Sequence, residues 1–185
     1  MGQALVSPWS TDLSLPTGAP VTLPTAIPTL ALDMLSPHGK AIRVFSDPVP
    51  YLHAWKLLSR LHQERIDDQG PDTVLILEHR PVYTLGRSTT ASHWGGNASL
   101  LCEHGTELHH VNRGGSITFH GPGQIVVYPV LKLDRHATGP RQLVWLLEEI
   151  IVQLLSCWNI TGHRIPGKPG IWVMTPTPEK IAFIG

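Results

Sequence analysis

Hydrophobic positions along this chain switch between two periods. A short apolar run over 41–45 reads as a strand, and Ser46-Asp-Pro48 then carries a helix start signal. After it, Tyr51, Trp55, Leu58, Leu61 and Arg65 recur at helical spacing, which predicts a helix over about 50–66. Polar Asp67-Asp-Gln-Gly-Pro71 ends that helix. Thr73-Val-Leu-Ile-Leu77 follows as a continuous apolar run between turn residues, the pattern of a buried central strand. Residues 82–85 read as another strand and 88–96 as a polar loop, while 108–112, 116–120 and 125–131 continue the sheet. The longest apolar stripe, Leu143, Leu146, Leu147, Ile150, Ile151, Leu154, Leu155 and Trp158, predicts a helix over 140–158 packed on that sheet. Two strands, 171–174 and 181–184, are joined by Thr175-Pro-Thr-Pro178. Elements of both kinds in alternation indicate an α/β (α+β) domain with a mixed sheet and packed helices.

One stretch interrupts this regular patterning. In Arg113-Gly-Gly-Ser-Ile-Thr-Phe-His-Gly-Pro-Gly-Gln124, two glycine turns bracket a short strand. Alternation puts Ile117 and Phe119 on one side of it and Ser116, Thr118 and His120 on the other, which is the layout of a lined pocket. An ordinary hairpin with a solvated histidine has the same pattern.

Composition narrows the field. At 185 residues and 42% hydrophobic content the chain suits one domain with a real core. Fourteen basic and fourteen acidic residues cancel, so no basic field points to nucleic acid or to an anionic membrane, and no apolar run reaches the eighteen residues of a membrane span. Eleven histidines raise the question of metal, but His104, His109, His110 and His120 lack ligand spacing, and no metal site is expected. Cys102 and Cys157 cannot form a disulfide framework, and nothing like a secretory signal opens the chain, so a reducing compartment is expected. Residues 1–40 are rich in Pro, Thr, Ser and Leu with no Lys or Arg before Lys40, and read as a disordered or targeting leader. The remaining 41–185 form the folded domain.

Four strings in order carry a resemblance. They are Glu78-His-Arg-Pro-Val-Tyr-Thr-Leu-Gly-Arg87, the Arg113–Gln124 stretch, Lys168-Pro-Gly-Ile-Trp-Val173 and Lys180-Ile-Ala-Phe-Ile-Gly185. Together they make the chain similar, from about Ile42 onward, to the octanoyltransferases of lipoate biosynthesis, or lipoyl(octanoyl) transferases, which share the biotin/lipoate protein ligase-like fold. The resemblance implies transfer of an octanoyl group from acyl carrier protein to a lysine of lipoyl domains, in 2-oxoacid dehydrogenase complexes and the glycine cleavage H protein, without a cofactor. It implies a cysteine acyl-enzyme whose thiol pKa is lowered by a lysine, here Lys180. Arg113, Gly114, Gly115, Ser116, Ile117, Thr118, Phe119 and His120, with Phe183, Ile184 and Gly185, would bind the acyl substrate. The family's cysteine lies beyond that lysine, so the expectation is a catalytic domain lacking its C-terminal part.

The chemistry of the residues agrees with those roles. A cysteine thiolate can hold an acyl group between two carriers, and a nearby ammonium favours the thiolate. His120 could orient a thioester, relay a proton, or fix the Gly121-Pro-Gly123 turn. Arg113 could bind substrate or tie loops together through backbone carbonyls. Two other readings stay open: an ATP-dependent lipoate or biotin ligase on the same fold, and a catalytically inactive binder of acyl groups or lipoyl domains. A mitochondrial address would suit a eukaryotic member, although the arginine-free leader is a poor transit peptide, and a cytoplasmic one would suit any other.

Overall fold

The computed structural model describes residues 30–35, 40–101 and 105–185. The chain divides into two compact units, one ending at Leu131 and the other running from Lys132 to Gly185.

The first unit is built on a parallel crossover. Strand β2 (Lys40–Phe45) and strand β3 (Asp72–Leu77) are parallel, and helix α1 (Tyr51–Ile66) joins them, since parallel neighbours need a long connection. Strand β1 (Leu30–Leu35) adds antiparallel to β2, and β7 (Val126–Val130) adds antiparallel to β3, giving the order β1-β2-β3-β7. Helix α1 buries Tyr51, Ala54, Leu58, Leu61 and Arg65, one stripe at helical spacing. Leu58 and Leu61 pack with Leu75 and Val130, while Ala54 packs with Val49 and Leu77. This is why 73–77 is apolar throughout: β3 lies between two strands and under the helix, and Leu75 is fully buried.

A second sheet, β5-β4-β6, completes the unit. Strand β4 (Val82–Leu85) is central, parallel to β5 (Glu107–His110) and antiparallel to β6 (Ile117–His120). The crossover from β4 to β5 includes a single-turn helix, α2 (Ala98–Leu101).

In the second unit, helix α3 (Pro140–Ser156) accompanies the antiparallel sheet β10-β9-β8, with β8 at His163–Ile165, β9 at Lys168–Met174 and β10 at Pro178–Ala182. Gly162 lets helix and sheet meet: a Cβ there would stand 2.7 Å from Ile171 and 3.1 Å from Leu155.

Several expectations change. Leu30–Leu35, placed in a disordered leader, is a strand, held by its ladder to β2 and by an Asp33–Arg43 ion pair at 3.4 Å. The rest of the leader, 1–29 and 36–39, lies outside the described residues, as does Cys102. Strand β8 was not anticipated, because three residues are too few to show a period. The last strand is Pro178–Ala182 rather than 181–184, since pairing with β9 stops where Gly170, at φ +107°, leaves the extended conformation. Helix α3 buries only Glu148 and Leu155, and Ile150, Leu154 and Trp158 of its apolar stripe are exposed. Cys157 is exposed at the end of that helix. No helix among the described residues is long and apolar enough to cross a membrane.

Candidate functional site

Register sorts the side chains of the β5-β4-β6 sheet. Val82 stands opposite His120 and Glu107, and Thr84 opposite Thr118 and His109, so these six share one face. That face carries Thr118 and His120 together, as alternation requires. Ile117 and Phe119 project from the other face, where Phe119 lies 5.1 Å from the Tyr83 ring and is 46% exposed. The histidine and the apolar pair therefore do not line one common wall.

Behind the polar face is a cluster that the sequence reading did not single out. His79 is fully buried, its ring 5.3 Å from Tyr51 and 5.8 Å from His120. Its Nδ1 lies 2.9 Å from the Val49 carbonyl oxygen, which can only accept, so Nδ1 carries the proton. Nε2 then accepts from the Tyr128 hydroxyl at 2.8 Å. Burial lowers the His79 pKa to about 4, so the ring is neutral at pH 7 with one tautomer fixed. Burial also pushes the Tyr51 phenol up to about 12, against the opposing charge of Arg113.

His120 is locked in the same sense. Gln124 donates its amide to the Phe119 carbonyl at 3.3 Å and accepts from His120 Nδ1 at 2.6 Å. The lone pair is thus on Nε2, which among the described residues meets only the Thr84 hydroxyl at 3.5 Å. Burial, with Arg113 acting in the same direction, holds the His120 pKa below the ordinary histidine value, while the bond to Gln124 opposes the shift. A neutral imidazole with an open acceptor nitrogen can take a proton or a hydrogen bond from a ligand.

Arg113 ties the turn to the sheet. Its Nη2 donates to the Thr84 carbonyl and hydroxyl, both at 2.8 Å, and its Nη1 donates to the Gly114 carbonyl at 2.9 Å. Of the two roles left open for this residue, the geometry displays the loop-tying one. Beyond β4 the backbone continues the ladder, with Gly86, Arg87 and Ser88 donating to Ser116, Arg113 and Gly115 respectively. Ser116 is also hydrogen-bonded to His93. A cavity of about 510 Å³ opens beside Leu85, Gly86 and Arg87, with Trp55 and Trp94 in its walls, and none of 113–120 lines it.

Gly86 in this clasp has no room for a side chain, and Gly115 holds a backbone conformation that side chains resist. A Cβ at Gly86 would lie 2.4 Å from the Gly115 carbonyl oxygen and 3.0 Å from that of Gly114, and Gly115 itself has φ +80°. Gly86→Ala is expected to cost about 2 kcal/mol of stability, and Gly115→Val a similar amount from backbone strain alone. Denaturant midpoints check both, and an unchanged midpoint for Gly86→Ala would mean that the 114–115 turn moves freely.

Lys180 belongs to the second unit, on β10 opposite Trp172. Its Nζ lies 5.6 Å from the Trp172 ring centroid and 4.8 Å from that of Phe183, and its side chain is half-buried. Among the described residues no carboxylate is within ion-pair distance of it. Gly170 passes beneath: a Cβ at that position would be 2.5 Å from Lys180 Cε and 2.3 Å from the Ala182 carbonyl oxygen. Phe183, Ile184 and Gly185 follow the strand in irregular conformation, with Phe183 68% exposed. Among the described residues, no three His, Cys, Asp or Glu side chains converge as metal ligands.

Mixed sheets with packed helices in this arrangement form the catalytic-domain fold of the biotin and lipoate ligases. Residues 50–185 match the lipoyl protein ligase A/B catalytic domain, and the chain belongs to that family. It is 41% identical over 146 residues to an octanoyltransferase of Thermobifida fusca, covering 75% of this chain and 58% of that protein. It is 40% identical over 149 residues to an octanoyltransferase of Renibacterium salmoninarum, covering 78% and 60% respectively. A third octanoyltransferase, from Chloroflexus aggregans, is 38% identical over 137 residues, covering 74% and 62%. The chain thus spans about 60% of the length of these relatives. They are bacterial and lend no support to a mitochondrial address.

Proposed function

We propose that this chain contributes the acyl-activating part of an octanoyltransferase, which moves an octanoyl group from the thioester of acyl carrier protein to a lysine of lipoyl domains. The observation that carries this reading is Lys180, a half-buried ammonium between two aromatic faces with no carboxylate partner among the described residues. A cation whose charge is not neutralised lowers the pKa of a neighbouring thiol, which otherwise ionises near 8.5. The resemblance puts the nucleophilic cysteine C-terminal to Lys180.

In this reading the thiolate attacks the thioester carbonyl, the carrier's sulfur leaves and takes up a proton, and an acyl-cysteine remains. The neutral amine of the acceptor lysine then attacks that carbonyl. The cysteine sulfur leaves as thiolate, the new amide forms, and the amine's surplus proton passes to a base. Lys180 stabilises the thiolate before the first step and again as the leaving group of the second. The resemblance gives acyl binding to the Arg113–His120 stretch of the first unit, whose polar face carries Thr118 and His120, and likewise to Phe183, Ile184 and Gly185, which belong to the second unit. The acceptors are the lipoyl domains of the 2-oxoacid dehydrogenase complexes and the glycine cleavage H protein.

Incubation of the intact protein with octanoyl carrier protein and unmodified lipoyl domain tests this. The expected result is an octanoyl mass increase on the domain in the absence of ATP. A requirement for magnesium-ATP and free fatty acid would make the protein a ligase, and binding with no transfer would make it an inactive binder.

A further inference from the structure

Glu148 is the unexpected residue of the second unit. It sits within the apolar stripe of α3 and is 8% exposed, although burying a carboxylate costs several kcal/mol unless its oxygens are satisfied. Both oxygens are engaged. Oε1 accepts from the Gly170 backbone N–H at 2.8 Å, and Oε2 faces Arg164 Nε at 3.3 Å. Arg164 is itself restrained, by Glu149 at 2.8 Å and by the Trp145 ring, whose centroid is 5.2 Å from its guanidinium carbon.

Gly170 has φ +107°, which turns its peptide out of the extended ladder and toward the helix. The Lys180 side chain lies over the Cα of this same residue, since Lys180 Cε stands 2.5 Å from where a Cβ of residue 170 would be. Rotation of the peptide would therefore move the backbone under the amine.

We propose that Glu148 is a positioning residue for Lys180, acting through its hydrogen bond to the Gly170 N–H. This rests on the reading of Lys180 as the amine that activates the nucleophile. The carboxylate touches neither Lys180 nor substrate. It holds the Gly170 peptide in the one orientation that leaves space for the lysine stem, and Arg164 keeps the carboxylate aimed. An ångström of displacement in a reacting group costs up to a hundredfold in rate, so loss of the anchor is expected to lower transfer by at least about tenfold.

The test uses the intact protein and two readouts. One is the rate–pH profile of octanoyl transfer, and the other is the titration of the Lys180 side chain followed by NMR on isotopically labelled lysine, which requires no turnover. Glu148→Ala is expected to lower kcat at least about tenfold, displace the alkaline limb of the profile and shift the Lys180 resonance. Glu148→Gln retains an acceptor oxygen and should remain within about threefold of the parent. Should Glu148→Ala not fold, Glu148→Asp, one methylene too short to reach the peptide, carries the same expectation. A parental Lys180 resonance and pH profile in the variant lacking the acceptor overturn the proposal, even if thermal stability falls. Equal losses in Glu148→Gln and Glu148→Ala overturn it as well, because charge rather than the hydrogen bond would then matter. Lys180→Ala run in parallel separates the two claims: unchanged transfer there refutes the role of Lys180, while the NMR titration of Glu148→Ala still decides whether Glu148 positions the amine.

Discussion

In a protein that includes the nucleophilic cysteine, replacing Lys180 by alanine is expected to lower octanoyl transfer by at least about a hundredfold at pH 7 with the fold intact. The side chain is half-buried and contacts two aromatic faces and a glycine, so its removal leaves no unpaired partner and costs little stability. The loss comes from charge. With an ammonium nearby the thiol ionises below its ordinary pKa, and without it the pKa rises and the thiolate fraction at neutral pH falls. The rate–pH profile should accordingly move to alkaline values, with much of the activity recovered at high pH. Lys180→Arg, which keeps a positive charge, should fall between parent and alanine. A profile of unchanged shape, merely scaled down, would show that Lys180 does not act through the thiol.

The second large effect concerns stability and acid. His79 titrates near 6.5 in an unfolded chain and at about 4 in the folded one. Above pH 6.5 the ring is neutral in both states, and the folded protein has its full stability. As pH falls from 6.5 toward 4 the unfolded state gains a proton that the buried ring refuses, so stability is progressively lost over that window, by about 3 kcal/mol in total. His120, also held below the ordinary histidine value, acts in the same direction. Urea midpoints measured between pH 7 and 4 should fall steeply for the parent and much less for His79→Gln. Identical slopes in the two proteins would mean that the ring takes up its proton without unfolding.

Much of the architecture was legible in the pattern of apolar positions. The continuous run at 73–77 and the helical spacing from Tyr51 to Arg65 each reflect burial against an element close in sequence, and both are where the periods put them. The hidden parts depend on distant partners. His79 meets Tyr128 across 49 positions, and His79 or Tyr128 in isolation looks like any surface polar residue. Strand β1 was obscured by the proline-rich composition on its N-terminal side, although its own six residues are apolar apart from Asp33. Glu148 did leave a trace. It stands three and seven positions before Ile151 and Leu155, which puts it on the apolar face of its helix, where a charged residue needs a partner. What the chain could not show was that the partner is the backbone of Gly170. The glycines of 113–124 were read for the freedom of their backbone, yet Gly86 matters for the space it leaves, and that space is set by the Gly114-Gly115 turn, distant in sequence.

The order of strands in the first sheet also dictates when that sheet can be finished. β3 finds one neighbour, β2, in the chain already made before it, but its other neighbour is β7, some fifty residues further on. During synthesis at the ribosome, Leu75 and Leu77 sit on a strand with one open edge until Val126–Val130 emerges. That interval favours non-native pairing and makes a holding chaperone useful to the nascent protein.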